Sequence, residues 1–192
     1  MPDSGFARLV SLACHDLRTP LATVTGFAKT LARGGTLPER EAHFVDLIDA
    51  ASGQMAALLD LLALAARIES GRWEPVLAAG DTLELARADD VRVAAEGTGA
   101  PVETDTGVVR RALAELGRCA AVHGGVDLVT WSVDARTLTL APVTADAAPV
   151  VSGETPRDLG ALVARRALEA LGGSLAAGRE ALRVTLPAQP PR

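Results

Sequence analysis

The chain of 192 residues contains no asparagine and no tyrosine, and Lys29 is its single lysine. Arginine, alanine and glycine are abundant instead, as a GC-rich coding sequence produces. The absences have chemical consequences. No reaction here can use asparagine as a metal ligand, tyrosine as an acid, or the lysine of a Walker-type phosphate loop. The two cysteines, Cys14 and Cys119, show neither pairing nor metal-ligand spacing, as expected in a reducing compartment. There is no lysine/arginine run, and the net charge is −5 with a pI near 5.2, so no nucleic-acid partner is expected. The N-terminal MPDSGFARLVSLACHD carries acid and histidine inside its apolar stretch and does not read as a signal peptide. The longest apolar run, Ala56 to Ala66, is broken by Asp60 and is short for a bilayer. These features predict a cytoplasmic protein with no membrane association. With 48% hydrophobic residues and a mean hydropathy of +0.22, the chain has ample apolar material for a packed core.

What is present divides into two regions, residues 1–72 and 73–192. In the first, apolar positions fall at Val10, Cys14, Leu17, Leu21, Val24, Ala28 and Leu31, alternating steps of four and three. A second series, Phe44, Ile48, Ala51, Met55, Leu58, Leu62 and Ala65, does the same and ends before Gly71. Both are heptad helices, separated by Gly34-Gly35 and a Thr36–Pro38 connection. A lone hairpin of this kind leaves an apolar stripe uncovered, so a second copy should complete a dimeric four-helix bundle.

The second region alternates short elements. Asp81 to Ala88 predicts a helix, and Val91 to Ala95 and Val102 to Thr104 predict strands. A longer amphipathic helix follows over Asp105 to Val122. Val126 to Val133 and Thr137 to Val143 form a hairpin, and Thr144 to Thr155 a loop. Pro156 opens a last helix that ends at Gly172-Gly173; Ser174 to Ala177 and Ala181 to Leu186 make a second hairpin, with a frayed AQPPR tail. The fold class is α+β, a helical hairpin followed by a small α/β sandwich.

His15 is the residue with chemistry, within His15-Asp16-Leu17-Arg18-Thr19-Pro20-Leu21. It lies off the heptad seam, so its ring should reach solvent. Asp16 is placed to hold one ring nitrogen as N–H and leave the other nucleophilic. Pro20 removes a backbone bond from the helix interior and is expected to bend the axis. Three readings compete: an inert surface histidine, a metal ligand, or a phosphoryl acceptor. The metal reading lacks partners, since His43 and His123 stand at no ligand spacing to His15. The exposed ring, the adjacent acid, the proline and the heptad hairpin together favour the phosphoryl acceptor.

That seven-residue segment resembles the H-box of bacterial sensor histidine kinases. The resemblance implies that His15 is phosphorylated, Asp16 is its acid/base partner, Thr19 orients a hydrolytic water, and Arg18 shares the exposed edge. It extends to the second region, where Asp158 to Gly173, DLGALVARRALEALGG, is similar to the glycine-rich helix of the family's GHKL-type ATP-binding domain. Val184-Thr185-Leu186-Pro187 resembles the closing strand of that domain, and Asp105 to His123 its N-box helix.

The nucleotide site implied by the resemblance is degenerate. The N-box helix normally supplies an asparagine to the Mg²⁺ shell, and here reads Glu115-Leu116-Gly117-Arg118-Cys119-Ala120. A soft thiol is a poor ligand for so hard a cation. The Asp-x-Gly-x-Gly turn is missing after Thr137 to Leu140, where the chain reads Ala141-Pro142-Val143-Thr144-Ala145-Asp146. At the last helix only Gly160 remains of the glycine-rich opening, with Asp158 where a phosphate would come.

The expected function is therefore histidine phosphotransfer in a phosphorelay, between receiver-domain aspartates through His15, without ATP binding. No cofactor or metal is expected in this chain, the receiver supplying Mg²⁺. Response-regulator receiver domains are the expected partners, docking beside Val24 and Phe27 on the first helix and Leu61 and Leu64 on the second. A receiver phosphatase, a sequestering pseudokinase and a divergent active kinase remain as alternatives.

Overall fold

The computed structural model describes residues 4–34 and 37–189, so the expectations for Gly35, Thr36 and the extreme tail lie outside it. The chain separates into two compact units, Met1–Trp73 and Glu74–Arg192.

The first unit is a hairpin of two long helices, α1 (Ser4–Arg33) and α2 (Glu39–Glu69). Helix α1 runs through Pro20 without interruption. The hydroxyls of Thr23, Thr25 and Thr30 bond back to carbonyls four residues earlier. At the other end of the hairpin, Ser70 closes α2, its backbone N–H and hydroxyl both donating to the Ala66 carbonyl.

The two helices meet along Ala7, Cys14, Leu21 and Ala28 of α1 and Val45, Ser52, Leu59 and Ala66 of α2. Each set repeats every seven residues, as supercoiled packing requires. The seam of α2 is displaced by one residue from the series expected from sequence. Leu17, Val24, Leu31, Phe44, Ile48, Met55 and Leu58 are left 45 to 54% exposed. A two-helix contact buries only a narrow strip, and small Ala, Cys and Ser side chains fill much of it here, beside Leu21, Val45 and Leu59. The larger aliphatic residues form flanking stripes.

Helix α2 also contains an 18-residue window of mean hydropathy 1.5, long and apolar enough by length and composition to cross a membrane. The apolar character of α2 therefore extends beyond the run Ala56 to Ala66 that the sequence suggested was too short for a bilayer.

The second unit is an α/β layer structure. Its main sheet has the order β2-β4-β5-β7-β6, with β2 (Val93–Gly99) parallel to β4 (Val129–Ala135). β5 (Thr137–Ala141), β7 (Leu182–Thr185) and β6 (Ser174–Ala177) continue it antiparallel. A separate antiparallel pair joins β1 (Ala78–Asp81), absent from the sequence reading, to β3 (Pro101–Thr104). Alternation places Val129, Trp131, Val133, Leu138, Leu140, Leu182 and Val184 on the inner face.

Against that core pack α4 (Thr106–Gly124) and α6 (Leu159–Ala170), through Val109, Leu113, Leu116, Val163 and Leu168. Gly117 lets α4 approach β2, since a Cβ there would stand 2.8 Å from Val93 Cγ1. Two short helices complete the unit: α3 (Thr82–Ala86), capped by Asp81, and α5 (Ala148–Val151), inside the segment expected to be a loop. Helix α6 starts later than the proline at position 156 suggested, because Asp158 is its N-cap, accepting from Ala161 N at 3.0 Å.

Candidate functional site

On the hairpin, His15 projects from the face of α1 turned away from the seam, its side chain 80% exposed. Its Nδ1 lies 3.2 Å from Asp16 Oδ1. With Nδ1 carrying the proton donated to Asp16, Nε2 is left with its lone pair directed to solvent. Thr19, one turn later, is exposed on the same side of the helix. Arg18 is engaged in a contact the sequence did not disclose. Its Nη2 donates to Asp60 Oδ1 at 2.6 Å, linking α1 to α2 beside the histidine.

The expected docking residues divide. Val24 and Phe27 are exposed, Phe27 to 68%. Leu61 and Leu64 are 5% and 8% exposed, hence buried. Placing them on a docking face was an error of phase. The one-residue displacement of the α2 seam turns this end of α2 inward, and an unaided apolar stripe in sequence does not say which of two neighbouring seams is used.

In the α/β unit, the middle of α4 faces the start of α6. Arg118 Nη2 bonds both oxygens of Asp158, at 3.1 and 3.0 Å, and Arg118 Nε bonds Glu115 Oε2 at 3.0 Å. Gly160 allows this approach, as a Cβ there would fall 2.3 Å from Glu115 Oε2. Burial disfavours the Arg118 charge, but Asp158 and Glu115 outweigh it and hold the guanidinium more firmly protonated than a free arginine. Cys119 is fully buried, and that burial, reinforced by the charge of Asp158, pushes its thiol up to about 12.

The sequence reading found no metal-ligand spacing at either cysteine. The fold nevertheless gathers Cys119, His123 and Asp158, with ligand atoms within 4.8 Å of one another. The visible signal was the four-residue step from Cys119 to His123. The contribution of Asp158 is set by tertiary contact alone.

Beside α4 lies a cleft of about 600 Å³ whose lining mixes Arg87, Arg110 and Arg111 with Asp89, Asp90 and Glu115.

Comparison with known proteins places these observations. Residues 7–71 match the His Kinase A (phospho-acceptor) domain. The sensor protein CreC of Escherichia coli is 42% identical over 73 residues, 38% of this chain and 15% of its own length. The histidine protein kinase DivJ of Caulobacter vibrioides is 28% identical over 124 residues, 59% of this chain and 21% of its own. The chain thus spans 14 to 21% of the curated relatives it matches. Among solved structures, full-length ShkA in complex with AMPPNP superposes with a TM-score of 0.67 at 19% identity, over 92% of this chain and 44% of that one, a likeness of fold. The hairpin thus carries a His Kinase A phospho-acceptor domain, and the chain is similar to sensor histidine kinases in sequence over part of its length and to the ShkA structure in fold over most of it.

Proposed function

We propose that this chain is a histidine phosphotransferase, carrying a phosphoryl group between receiver-domain aspartates through His15 without binding ATP. The observation that carries the reading is the exposed His15 ring with Nδ1 on Asp16 and Nε2 free to react. In the transfer, Nε2 attacks the phosphorus of an aspartyl phosphate in line. The P–N bond forms as the P–O bond to the aspartyl carboxylate breaks, and that carboxylate departs on the receiver. The imidazolium so formed keeps its Nδ1 proton on Asp16, which offsets the new positive charge. Transfer to a second receiver reverses these steps. Positioning supplies most of the rate, and the Mg²⁺ that balances phosphate charge belongs to the receiver. A homodimer supports this reading by covering the apolar stripes of α1 and α2. Val24 and Phe27 offer the receiver an accessible surface on the first helix.

The exclusion of ATP rests on the contact between α4 and α6. Asp158 already places a carboxylate at the N-terminus of α6, where it accepts from Ala161 N, and Arg118 is engaged in holding it. The chain also has no asparagine to complete a Mg²⁺ shell.

A second reading, an ATP-dependent kinase, is favoured by two of the relatives, which are named as histidine kinases, and by the AMPPNP complex of ShkA. One experiment separates the two. The protein is incubated with labelled ATP alone, and separately with a receiver domain loaded from labelled acetyl phosphate. Phosphotransfer predicts label passing from receiver to protein, lost in His15→Ala, and none taken from ATP. Label from ATP alone, absent in His15→Ala, would establish the kinase instead. Free phosphate without a labelled protein would indicate a receiver phosphatase, with Thr19 orienting water.

A further inference from the structure

The phosphoryl chemistry leaves unused a group of side chains between α4 and α6. Cys119 and His123 are four residues apart on α4, so they leave the helix on one face, one turn from each other. Asp158 meets them from the first turn of α6. His123 Nε2 is 3.6 Å from Asp158 Oδ2, and all three ligand atoms lie within 4.8 Å. Donors around a tetrahedral zinc ion, each about 2.0–2.3 Å from it, stand roughly 3.5 Å apart. The His123–Asp158 pair is already at that separation, and Cys119 Sγ lies within 4.8 Å of both.

Charge and burial agree with this geometry. Cys119 is fully buried and the Asp158 side chain is 7% exposed, whereas the His123 side chain keeps 28% of its surface. Asp158 and Glu115 together outnumber the single charge of Arg118, leaving one negative charge in excess. A divalent cation bound to an ionised Cys119 brings the group to neutrality. The oxygens of Asp158 are also divided in function. Oδ1 holds the cap of α6, and Oδ2, which Arg118 Nη2 also reaches at 3.0 Å, faces His123.

We propose that Cys119, His123 and Asp158 bind a zinc-class divalent cation, with a water entering past His123 as fourth ligand. Thiolate, imidazole and carboxylate suit Zn²⁺ and disfavour Mg²⁺, which demands oxygen donors. On binding, the sulfur–metal bond forms as the thiol proton passes to solvent. His123 coordinates through a neutral ring nitrogen, and no oxidation occurs. The ion fastens α4 to the start of α6. The site is independent of phosphoryl transfer at His15.

The test uses the untagged full chain, stripped of metal by a chelator and titrated with Co²⁺ as a spectroscopic probe. One equivalent should give the intense visible bands of tetrahedral cobalt together with a near-ultraviolet thiolate-to-metal band, and Zn²⁺ should displace both. Cys119→Ser should remove the near-ultraviolet band. His123→Gln should weaken binding by about tenfold or more, and His43→Gln should leave it unchanged. A pale octahedral spectrum, or a thiolate band that survives Cys119→Ser, would overturn the proposal. Should Cys119→Ser fail to fold by circular dichroism, His123→Gln decides, because that side chain is partly exposed near the end of α4. Unaltered cobalt affinity in that variant rejects the site.

Discussion

Asp158 and Arg118 form a two-oxygen ion pair across the α4–α6 contact, at 3.0 and 3.1 Å, while the same carboxylate caps α6 through Ala161 N. One side chain therefore ends a helix and joins two of them.

Separating those duties gives a first prediction. Asp158→Ala loses the cap and leaves Arg118 half-buried without its main partner, for a loss of about 2–3 kcal/mol of stability. Asp158→Asn keeps a cap oxygen and loses only the charge, so it should cost clearly less. Urea unfolding of both variants measures the difference, and equal losses would show that the cap contributes nothing.

Arg18 and Asp60 link the helices beside His15, but each is about half exposed. Their coupling in a double-mutant cycle should stay below about 1 kcal/mol and fade in concentrated salt. If the proposed transfer runs through His15, its rate is the more sensitive readout of Asp60→Ala, because that change releases Arg18 next to the His15 ring.

The stripe of Phe44, Ile48, Met55 and Leu58 is predicted to face a second copy of the hairpin. Ile48→Asp puts a charge in its middle, where burial without a partner costs several kcal/mol. Sedimentation should show a dimer for the unaltered protein and a monomer for the variant, with the strand signal of the α/β unit retained. A variant that sediments as the parent does would place the self-contact elsewhere.

The alkaline limb of stability should be governed by Cys119. Its thiol is held up at about 12 in the folded protein, against an ordinary value of 9.0. The folded state therefore keeps a proton that the unfolded state gives up. The contribution is complete below about pH 9 and is lost as pH rises toward about 12. With no tyrosine and one lysine, few other side chains titrate in this window. Urea midpoints measured in a chelating buffer should fall across it, and Cys119→Ala should flatten the decline.

Much of the fold was legible beforehand. Strong periodicity fixed both hairpin helices and α4, and alternation fixed β4, β5 and the closing pair, because each signal is local and repeated many times. β1 escaped notice, since Ala78-Ala79-Gly80-Asp81 has no strand-like composition and is held by pairing to β3. Helix α5 went unrecognised for its shortness. At the site, His15, Asp16, Thr19 and Arg18 were readable from one motif. Asp60 was not, because its partner is 42 residues away.

The sequence by itself determined that a histidine with an adjacent carboxylate rides on a heptad helix, and that the chain contains no asparagine. These are matters of residue type and short-range spacing. Only the tertiary structure decided which of two neighbouring apolar stripes closes the hairpin, burying Leu61 and Leu64 and leaving Phe44 and Ile48 outside. It alone also decided that Asp158 faces Arg118, Cys119 and His123. Both outcomes depend on how side chains far apart in the chain fill a shared volume, and a one-residue change of helical phase reverses them without altering the periodicity that the sequence displays.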